Sequence, residues 1–474
     1  MLFNSLTFFY FFTGVMVLHH LPLPWRVRKF NLLWASYLFY MAWNPPFVLV
    51  LIASTLIDWF VGKALSQPGS VMKRRGLLCI SLLANLGMLG FFKYGNFLLQ
   101  NFTWMMGQMG IEYAPPQWDI VLPVGISFYT FQTLTYTFDI YFGKMKRWNS
   151  FLDYSLYVTF FPQLVAGPIV RANDFLYQCE EPRRASAKQL SWGLTLLVIG
   201  LFEKVVIADG LLAPVVEDVF DNKAGTRFIG AWFGSFAFAG QIFCDFAGYS
   251  TCAIGVAMCL GFGIMDNFRF PYAAIGFSDF WRRWHISLSS FLRDYLYIPL
   301  GGNRVSNIRT HINLMLTMLI GGLWHGAAWT FVVWGGLHGT YLVGERFLMK
   351  LWPKGGLWRS VPMQVLAALG TFLLVCITWV FFRARTFDKA FSMIGSMLGR
   401  YPANQGELMT QPQMIIVGCV TVAMLYIHWQ MRNTTLEAAA NKTPWWLRAT
   451  LLAIMIVAIV MSPGEDRAFI YFQF

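Results

Sequence analysis

Two histidines interrupt a long apolar run of the sequence. His325 and His338 lie in LMLTMLIGGLWHGAAWTFVVWGGLHG, a run with no Asp, Glu, Lys or Arg. An ionisable side chain inside a membrane segment is costly, and it therefore indicates a functional site. Burial disfavours the charged imidazolium and leaves a neutral ring that accepts a proton, as a general base must. Because Trp324 and Gly326 give His325 a bulky wall and a permissive backbone, we expect His325 to be that base.

The spacing of these histidines does not favour a metal site. They are 13 residues apart, which corresponds to about 220° around an ideal helix and separates their side chains. The sequence also lacks an H-E-x-x-H motif and any Cys/His spacing typical of zinc. We therefore expect no metal and no bound cofactor.

A further histidine, His285, lies 40 residues before His325 in an arginine-rich segment between Asn267 and Arg309. The arginines of this segment are Arg269, Arg282, Arg283, Arg293, Arg304 and Arg309. At about 2.5 to 3.5 kcal/mol for each arginine at the bilayer centre, they must face the cytoplasm, the protein interior or a polar cavity. Such a cluster is typical of an anchor for anionic membrane lipids, or of a docking surface for a phosphorylated donor or an acidic carrier, and the spacing does not separate these two interpretations. A re-entrant fold could bring His285 and His325 together.

The C-terminal aromatic tail, residues 463–474, contains a single tyrosine, Tyr471, whose hydroxyl follows the last apolar stretch. We hypothesise that Tyr471 takes part in the reaction as a relay for the transferred group. The alternative is an aromatic belt that anchors the last helix at the membrane surface.

The composition indicates which elements must position these residues. Of the 474 residues, 57% are hydrophobic and only 12% are charged, against a charged share of about 25% in soluble domains. The net charge is +13, but the sequence has too few polar residues for the surface that a nucleic-acid-binding protein needs. Such a positive excess is typical of the cytoplasmic loops of a membrane protein. We therefore predict an all-α, multi-pass membrane protein that does not bind nucleic acid.

Apolar stretches recur along the whole chain, and residues 2–20 predict a first span that is retained rather than cleaved. At about 20 residues for each span, the chain has room for on the order of 10 to 13 membrane segments. Several stretches, such as 311–323, are too short to span and predict broken or re-entrant helices. We expect one membrane-embedded domain over 1–474, with its catalytic segment at 267–340.

Several motifs together resemble the membrane-bound O-acyltransferase family, in its bacterial branch that acylates exported polysaccharides. They are FWRRWHISLSSFLRDYLYIPLGGNR (280–304), GGLWHG (321–326), WGGLHG (334–339), LPVGISFYTFQTLTYTFDIY (122–141), FFPQLVAGPIVR (160–171) and the terminal FIYFQF. The likeness runs essentially from end to end. It implies a ring of transmembrane and re-entrant helices around a thinned catalytic centre.

The resemblance also implies the chemistry. The histidine of the WHG motif, His325, would be catalytic, and His285 in FW-x-x-W-H would be its partner. His285 could polarise the thioester carbonyl or orient the nucleophile, and Arg282, Arg283 and Arg293 could bind the donor phosphates. The expected reaction passes acetyl groups from a cytoplasmic donor, taken as acetyl-CoA, across the bacterial inner membrane.

The expected acceptor is an exported polysaccharide, with alginate as the first choice. The expected partners are a periplasmic acetyltransferase or other polysaccharide-modifying proteins. Within the same chemistry, the alternatives are O-acetylation of cellulose or peptidoglycan and D-alanyl transfer to teichoic acid. From other classes, a polysaccharide or small-molecule transporter and a scaffold for periplasmic partners stay open.

Overall fold

The computed structural model describes the chain except residues 116–119, 223–224, 352–359, 401–407, 463–466, 468 and 471–474. The described residues form α-helices with short 3₁₀ and π segments, and no strand occurs among them. They divide into two compact units, Met1–Leu197 with Cys252–Met265 and Val198–Thr251 with Asp266–Phe474. The expected all-α fold is confirmed, whereas the single domain over 1–474 stays a prediction.

The first unit is built from the N-terminal helices. They are α1 (Leu6–His20), α2 (Trp25–Met41), α3 (Val48–Leu65), α4 (Val71–Leu89), α5 (Gly95–Gln108), α6 (Ile126–Tyr141), α7 (Phe151–Thr159), α8 (Phe161–Leu164), α9 (Ala172–Leu176) and most of α10 (Ala187–Leu201). Asp58 of α3 is fully buried and joins three of them, since it accepts hydrogen bonds from Ser81, from Asn85 (2.6 Å) and from Thr137 (2.8 Å). These bonds satisfy a carboxylate that would otherwise be costly to bury.

The second unit contains every predicted site residue that the structure describes. It begins with a π-helical segment, Phe202–Leu212, and continues through α11 (Ala213–Phe220), most of α12 (Phe228–Cys259), α13 (Phe277–Arg283), α14 (Ile286–Leu292), α15 (Asn307–His325), α16 (Trp329–Leu351), α17 (Val361–Arg383), α18 (Phe387–Met397), α19 (Gln411–Met431), α20 (Leu436–Lys442) and α21 (Trp445–Met461). Helices α13 and α14 have seven residues each, about 10 Å at 1.5 Å per residue, and neither can cross a bilayer.

Five helical stretches among the described residues are long and apolar enough to cross a membrane. They are Pro45–Leu65, Val71–Gln108, Phe228–Cys259, Val361–Arg383 and Gln411–Met431, and α1 and α21 are shorter apolar helices. Helix α21 has no buried residue and exposes large apolar side chains along its length, as expected of a surface that faces lipid. The prediction of a membrane protein is confirmed, and the number of spans stays a prediction.

Helices α15 and α16 form a tight hairpin that determines where His325 lies. A Cβ atom on Gly335 of α16 would overlap the backbone carbonyl of Met318 in α15, and one on Gly322 of α15 would overlap the carbonyl of Phe331. Only glycine allows two helical backbones to approach this closely. The contact brings α16 against the end of α15, where His325 is the last residue.

Replacing Gly335 by alanine should therefore destabilise the hairpin. The added methyl group meets backbone atoms, which cannot move aside, and overpacking of this kind costs about 1 to 3 kcal/mol. Thermal unfolding of the detergent-solubilised protein measures the effect. Gly336→Ala is the matched control, because its Cβ would meet only Leu319 Cδ2, at 3.5 Å. Equal melting temperatures for the two variants would contradict the close-packing account.

Candidate active site

His325 lies at the junction of the helical hairpin, inside an aromatic cage. It ends α15, and the extended backbone of Gly326 leads away from the helix. The imidazole is 2% exposed. Its ring centroid lies 4.9 Å from Trp324, 4.9 Å from Trp334 and 5.4 Å from Phe382. These rings bury the imidazole in largely apolar surroundings.

His285 lies in a strained connection between two short helices. Its backbone has φ 43° and ψ 55°, the left-handed region, between the end of α13 and the start of α14. A non-glycine residue in that region costs on the order of 1 kcal/mol or more, and such strain is found where the surrounding structure enforces it. The side chain is completely buried. The connection therefore points to a function rather than to a chance turn.

Asn267 supplies the bonds that hold this connection. Its backbone carbonyl accepts the Ile286 N–H at 2.9 Å. Its side-chain Oδ1 accepts the Ser287 hydroxyl at 2.9 Å and the Ser287 N–H at 3.3 Å. Its Nδ2 donates to Ser250 of α12 at 3.2 Å. One asparagine thus joins the residues that follow His285 to α12.

The same asparagine determines the protonation of His285. Nδ1 of His285 lies 3.1 Å from Asn267 Oδ1. The Ser287 backbone N–H can only donate, so the atom that faces it must be the carboxamide oxygen, which can only accept. Nδ1 therefore carries the proton, and Nε2 of the neutral ring carries the lone pair.

The structure brings the two predicted histidines together. Their ring centroids are 6.3 Å apart at an interplanar angle of 60°, and Trp324 lies beside both rings. The expected convergence of His285 and His325 is confirmed. Their catalytic roles stay predictions.

His338 has a structural role. Its Nε2 lies 3.0 Å from Thr378 Oγ1, and that hydroxyl donates to the Val375 carbonyl at 2.7 Å. The hydroxyl proton is therefore used, so Nε2–H donates to Thr378 and links α16 to α17. The imidazole also stacks on Phe280, with ring centroids 5.8 Å apart. Of the two histidines in the apolar run, His338 is the packing residue.

The three arginines predicted to bind the donor differ in their surroundings. Arg283 donates to Asp279 at 3.0 Å and to the Arg432 carbonyl at 2.9 Å, and Arg432 binds the other oxygen of Asp279 at 3.1 Å. Arg282 and Arg293 are exposed, and Arg293 pairs with the adjacent Asp294. Arg283 therefore fastens α13 to the end of α19, while Arg282 and Arg293 face outward. Their roles in donor binding stay predictions.

The Asp279 carboxylate is charged because of these partners. Burial acts to raise its pKa, but the hydrogen bond from the Ile275 N–H and the guanidinium groups of Arg283 and Arg432 outweigh burial and hold the pKa below its ordinary value. The pairing keeps α13, and with it the strained His285, against α19.

Tyr471 lies outside the described residues, and the residues just before it lead to the site. Phe469 is completely buried, and its ring centroid lies 5.5 Å from that of Phe246 in α12. Phe246 in turn contacts His285 edge to face, at 4.6 Å.

Among the described residues, no group of three His, Cys, Asp or Glu side chains could hold a metal ion, and the expected absence of a metal stays a prediction.

Sequence reasoning missed Asn267 and Ser250. Asn267 opens the arginine-rich segment, and the start of a polar interruption in apolar sequence was the only signal that it gave. Its partner Ser250 is 17 residues earlier, inside an apolar helix. A single serine in such a helix has no signature that separates it from an ordinary packing residue.

Comparison with known proteins identifies the family of the chain. The family model described as MBOAT, membrane-bound O-acyltransferase family, matches residues 141–383. A probable alginate O-acetylase from Azotobacter vinelandii is 39% identical over 84% of this chain and 78% of its own length. A second, from Pseudomonas putida, is 35% identical over 100% of both chains. A peptidoglycan O-acetyltransferase from Helicobacter pylori is 37% identical over 100% of this chain and 98% of its own.

The matched region contains His285, His325 and most of the bonds around them. The ring of helices around a thinned centre, which the resemblance implies, stays a prediction. The family model covers half of the chain, and relatives that are 35% and 37% identical cover all of it, so the chain belongs to the membrane-bound O-acyltransferase family and is an acyltransferase.

Proposed function

We propose that this protein takes acetyl groups from acetyl-CoA on the cytoplasmic side of the bacterial inner membrane and passes them to the O-acetylation of an exported polysaccharide, alginate. The observation that carries the proposal is the pair of buried imidazoles, 6.3 Å apart among aromatic rings. Two of the relatives named above are probable alginate O-acetylases, which supports alginate as the polymer. Peptidoglycan is the second candidate, because a peptidoglycan O-acetyltransferase is similar over the whole chain.

In the proposed reaction His325 acts as the general base. A hydroxyl oxygen attacks the thioester carbonyl carbon, and His325 takes the hydroxyl proton as the new C–O bond forms. The C–S bond then breaks, and the imidazolium returns the proton to the leaving thiolate, so the products are an acetyl ester and free CoA. General-base assistance of this kind contributes about 10² to 10⁴ in rate. The aromatic cage supports the role because apolar surroundings disfavour a charged imidazolium, and a general base needs the neutral ring.

The tautomer of His285 favours one of its two possible roles. With the proton on Nδ1 and bonded to Asn267, Nε2 can accept a hydrogen bond but cannot donate one. Polarising the thioester carbonyl would need a donor. We therefore assign His285 to orienting the attacking hydroxyl through Nε2.

The proposed acceptor of the first transfer is Tyr471, which passes the acetyl group to a periplasmic acetyltransferase. Support comes from the described residues before it, because Phe469 packs on Phe246, which contacts His285. On the donor side we propose that the exposed Arg282 and Arg293 bind the phosphates of acetyl-CoA by charge-assisted hydrogen bonds.

His325→Ala should abolish polymer acetylation while leaving a folded, membrane-inserted protein. Loss of the base should lower the rate by about 10² to 10⁴. Acetyl esters on both alginate and peptidoglycan from producing cells give the readout, and the polymer that loses its esters identifies the acceptor. His338→Gln is the matched control: it replaces a buried histidine of the same hairpin by a side chain that can still donate to Thr378. Acetylation that persists in His325→Ala would refute the assignment.

Asn267→Ala should lower kcat by on the order of tenfold, the kinetic equivalent of losing one buried hydrogen bond. The substitution frees both the tautomer and the left-handed backbone of His285, whereas the donor-binding arginines are not altered. Acetyl-transfer kinetics in proteoliposomes should thus show a lower kcat at an unchanged KM for acetyl-CoA. Ser250→Ala removes only the outer partner of Asn267 and should cost less. A raised KM at constant kcat would contradict the orienting role.

Tyr471→Phe should stop transfer to the periplasmic acetyltransferase, since phenylalanine keeps the ring and lacks the oxygen that would carry the acetyl group. Mass spectrometry of the C-terminal peptide during turnover should find an added acetyl group on wild-type Tyr471 and none in the variant. Absence of acetyl-tyrosine in the wild type, together with full transfer by the variant, would overturn the relay.

A further inference from the structure

A buried cluster of charges lies beside the C-terminal tail and has no place in the chemistry described above. Lys204 and Asp209 both belong to the π-helical segment Phe202–Leu212, and Lys204 Nζ lies 2.9 Å from Asp209 Oδ1. In a π-helix the hydrogen bonds join residues five apart, which is the separation of these two residues, and such segments are frequent at functional sites. Lys204 also forms an ion pair with Asp245 of α12.

These three side chains are costly to bury. Their exposed fractions are 6% for Lys204, 11% for Asp209 and 2% for Asp245. A buried ion pair contributes little net stability against an apolar replacement, because desolvation offsets the attraction. Two acidic residues share the Lys204 ammonium, and the nearby Arg383 and Arg467 line the same cavity. The cluster therefore indicates a role other than stability.

The C-terminal tail donates a hydrogen bond to this cluster. Asp245 Oδ2 accepts the backbone N–H of Ile470 at 2.8 Å, while Asp245 Oδ1 faces Lys204. The carboxylate thus holds the π-helical segment with one oxygen and the tail with the other. A hydrogen bond to a buried, charged acceptor is stronger than one between neutral groups.

Two further contacts hold the same stretch of tail. The Phe469 ring packs on Phe246 and Tyr249 of α12, with centroids 5.5 and 5.2 Å away. Arg467 forms an ion pair with Glu217 of α11, at the more exposed end of the cluster. The cluster and the tail share one polar cavity. Its lining residues are Lys204, Asp209, Glu217, Gln241, Asp245, Arg383, Arg467 and Ile470.

We infer that Asp245, held in place by Lys204, is a positioning residue that fixes the tail backbone one residue before Tyr471. The inference rests on the proposed acyl relay through Tyr471. Asp245 touches neither donor nor acceptor in this scheme. It holds the backbone of Ile470, the residue that precedes Tyr471 in the sequence, and the adjacent Phe246 contacts His285 from the same turn of α12.

Asp245→Asn is the test, because it keeps the shape and removes the charge. The carboxamide has a single oxygen, and this oxygen will face the Lys204 ammonium because the ammonium is the stronger donor. The amide nitrogen then faces the Ile470 N–H, and no hydrogen bond forms because both groups are donors. In the full-length protein in lipid nanodiscs, amide hydrogen exchange of the peptide containing residues 467–470 should become faster by about tenfold or more. The kcat of acetyl transfer should fall by a similar factor at an unchanged KM for acetyl-CoA.

Asp209→Asn is the matched control, since it removes a carboxylate of the same cluster and leaves the contacts of Asp245 with Lys204 and Ile470. Its tail exchange should stay within about twofold of the wild type, as expected when no hydrogen bond of the tail is lost. Unchanged exchange in Asp245→Asn would overturn the inference, and so would faster exchange with an unchanged kcat. Full activity of Tyr471→Phe would instead reject the relay, with the exchange result still reporting whether Asp245 anchors the tail.

Discussion

The carbonyl oxygen of one carboxamide, that of Asn267, determines much of the geometry around the two histidines. Three donors converge on it, from the His285 ring and from the hydroxyl and N–H of Ser287. Polar groups buried in an apolar protein need such partners, because an unpaired one costs a large part of its hydration energy. Meeting this demand bends the chain into the left-handed conformation at His285, separates α13 from α14, and orients the imidazole toward His325.

The charged groups that the described residues bury are arranged in small local sets. Asp279 gathers Arg283 and Arg432 where α13 meets the end of α19, and Asp245 gathers Lys204 and the tail at α12. In each case one carboxylate joins two elements that are distant in sequence. The cage around His325, by contrast, is aromatic. Polar networks thus hold the scaffold in place, and aromatic rings pack around the base.

The sequence predicted the features that depend on residue type. Low charge and long apolar runs predicted an all-α membrane protein, and an ionisable residue within such a run singled out His325. The same rule singled out His338, and the structure separates the two, because His338 bonds to Thr378 whereas His325 lies beside His285. The convergence of His285 with His325 could be expected, but residue spacing alone could not establish it, because it depends on a backbone conformation imposed by Asn267. The anchoring of the tail by Asp245 depends on a contact across 225 residues, for which no local pattern exists.

Helix α12 brings several of these functions into one and a half turns. Asp245 binds the tail, Phe246 lies against His285, Gly248 leaves room for the π-helical segment, and Ser250 binds Asn267. A helix moves as a stiff rod on this scale, so a change that fits one of these partners shifts the others. The tail and the site therefore depend on the same stretch of helix. We expect a chimera that receives the C-terminal tail of a relative to need this stretch of α12 from the same relative.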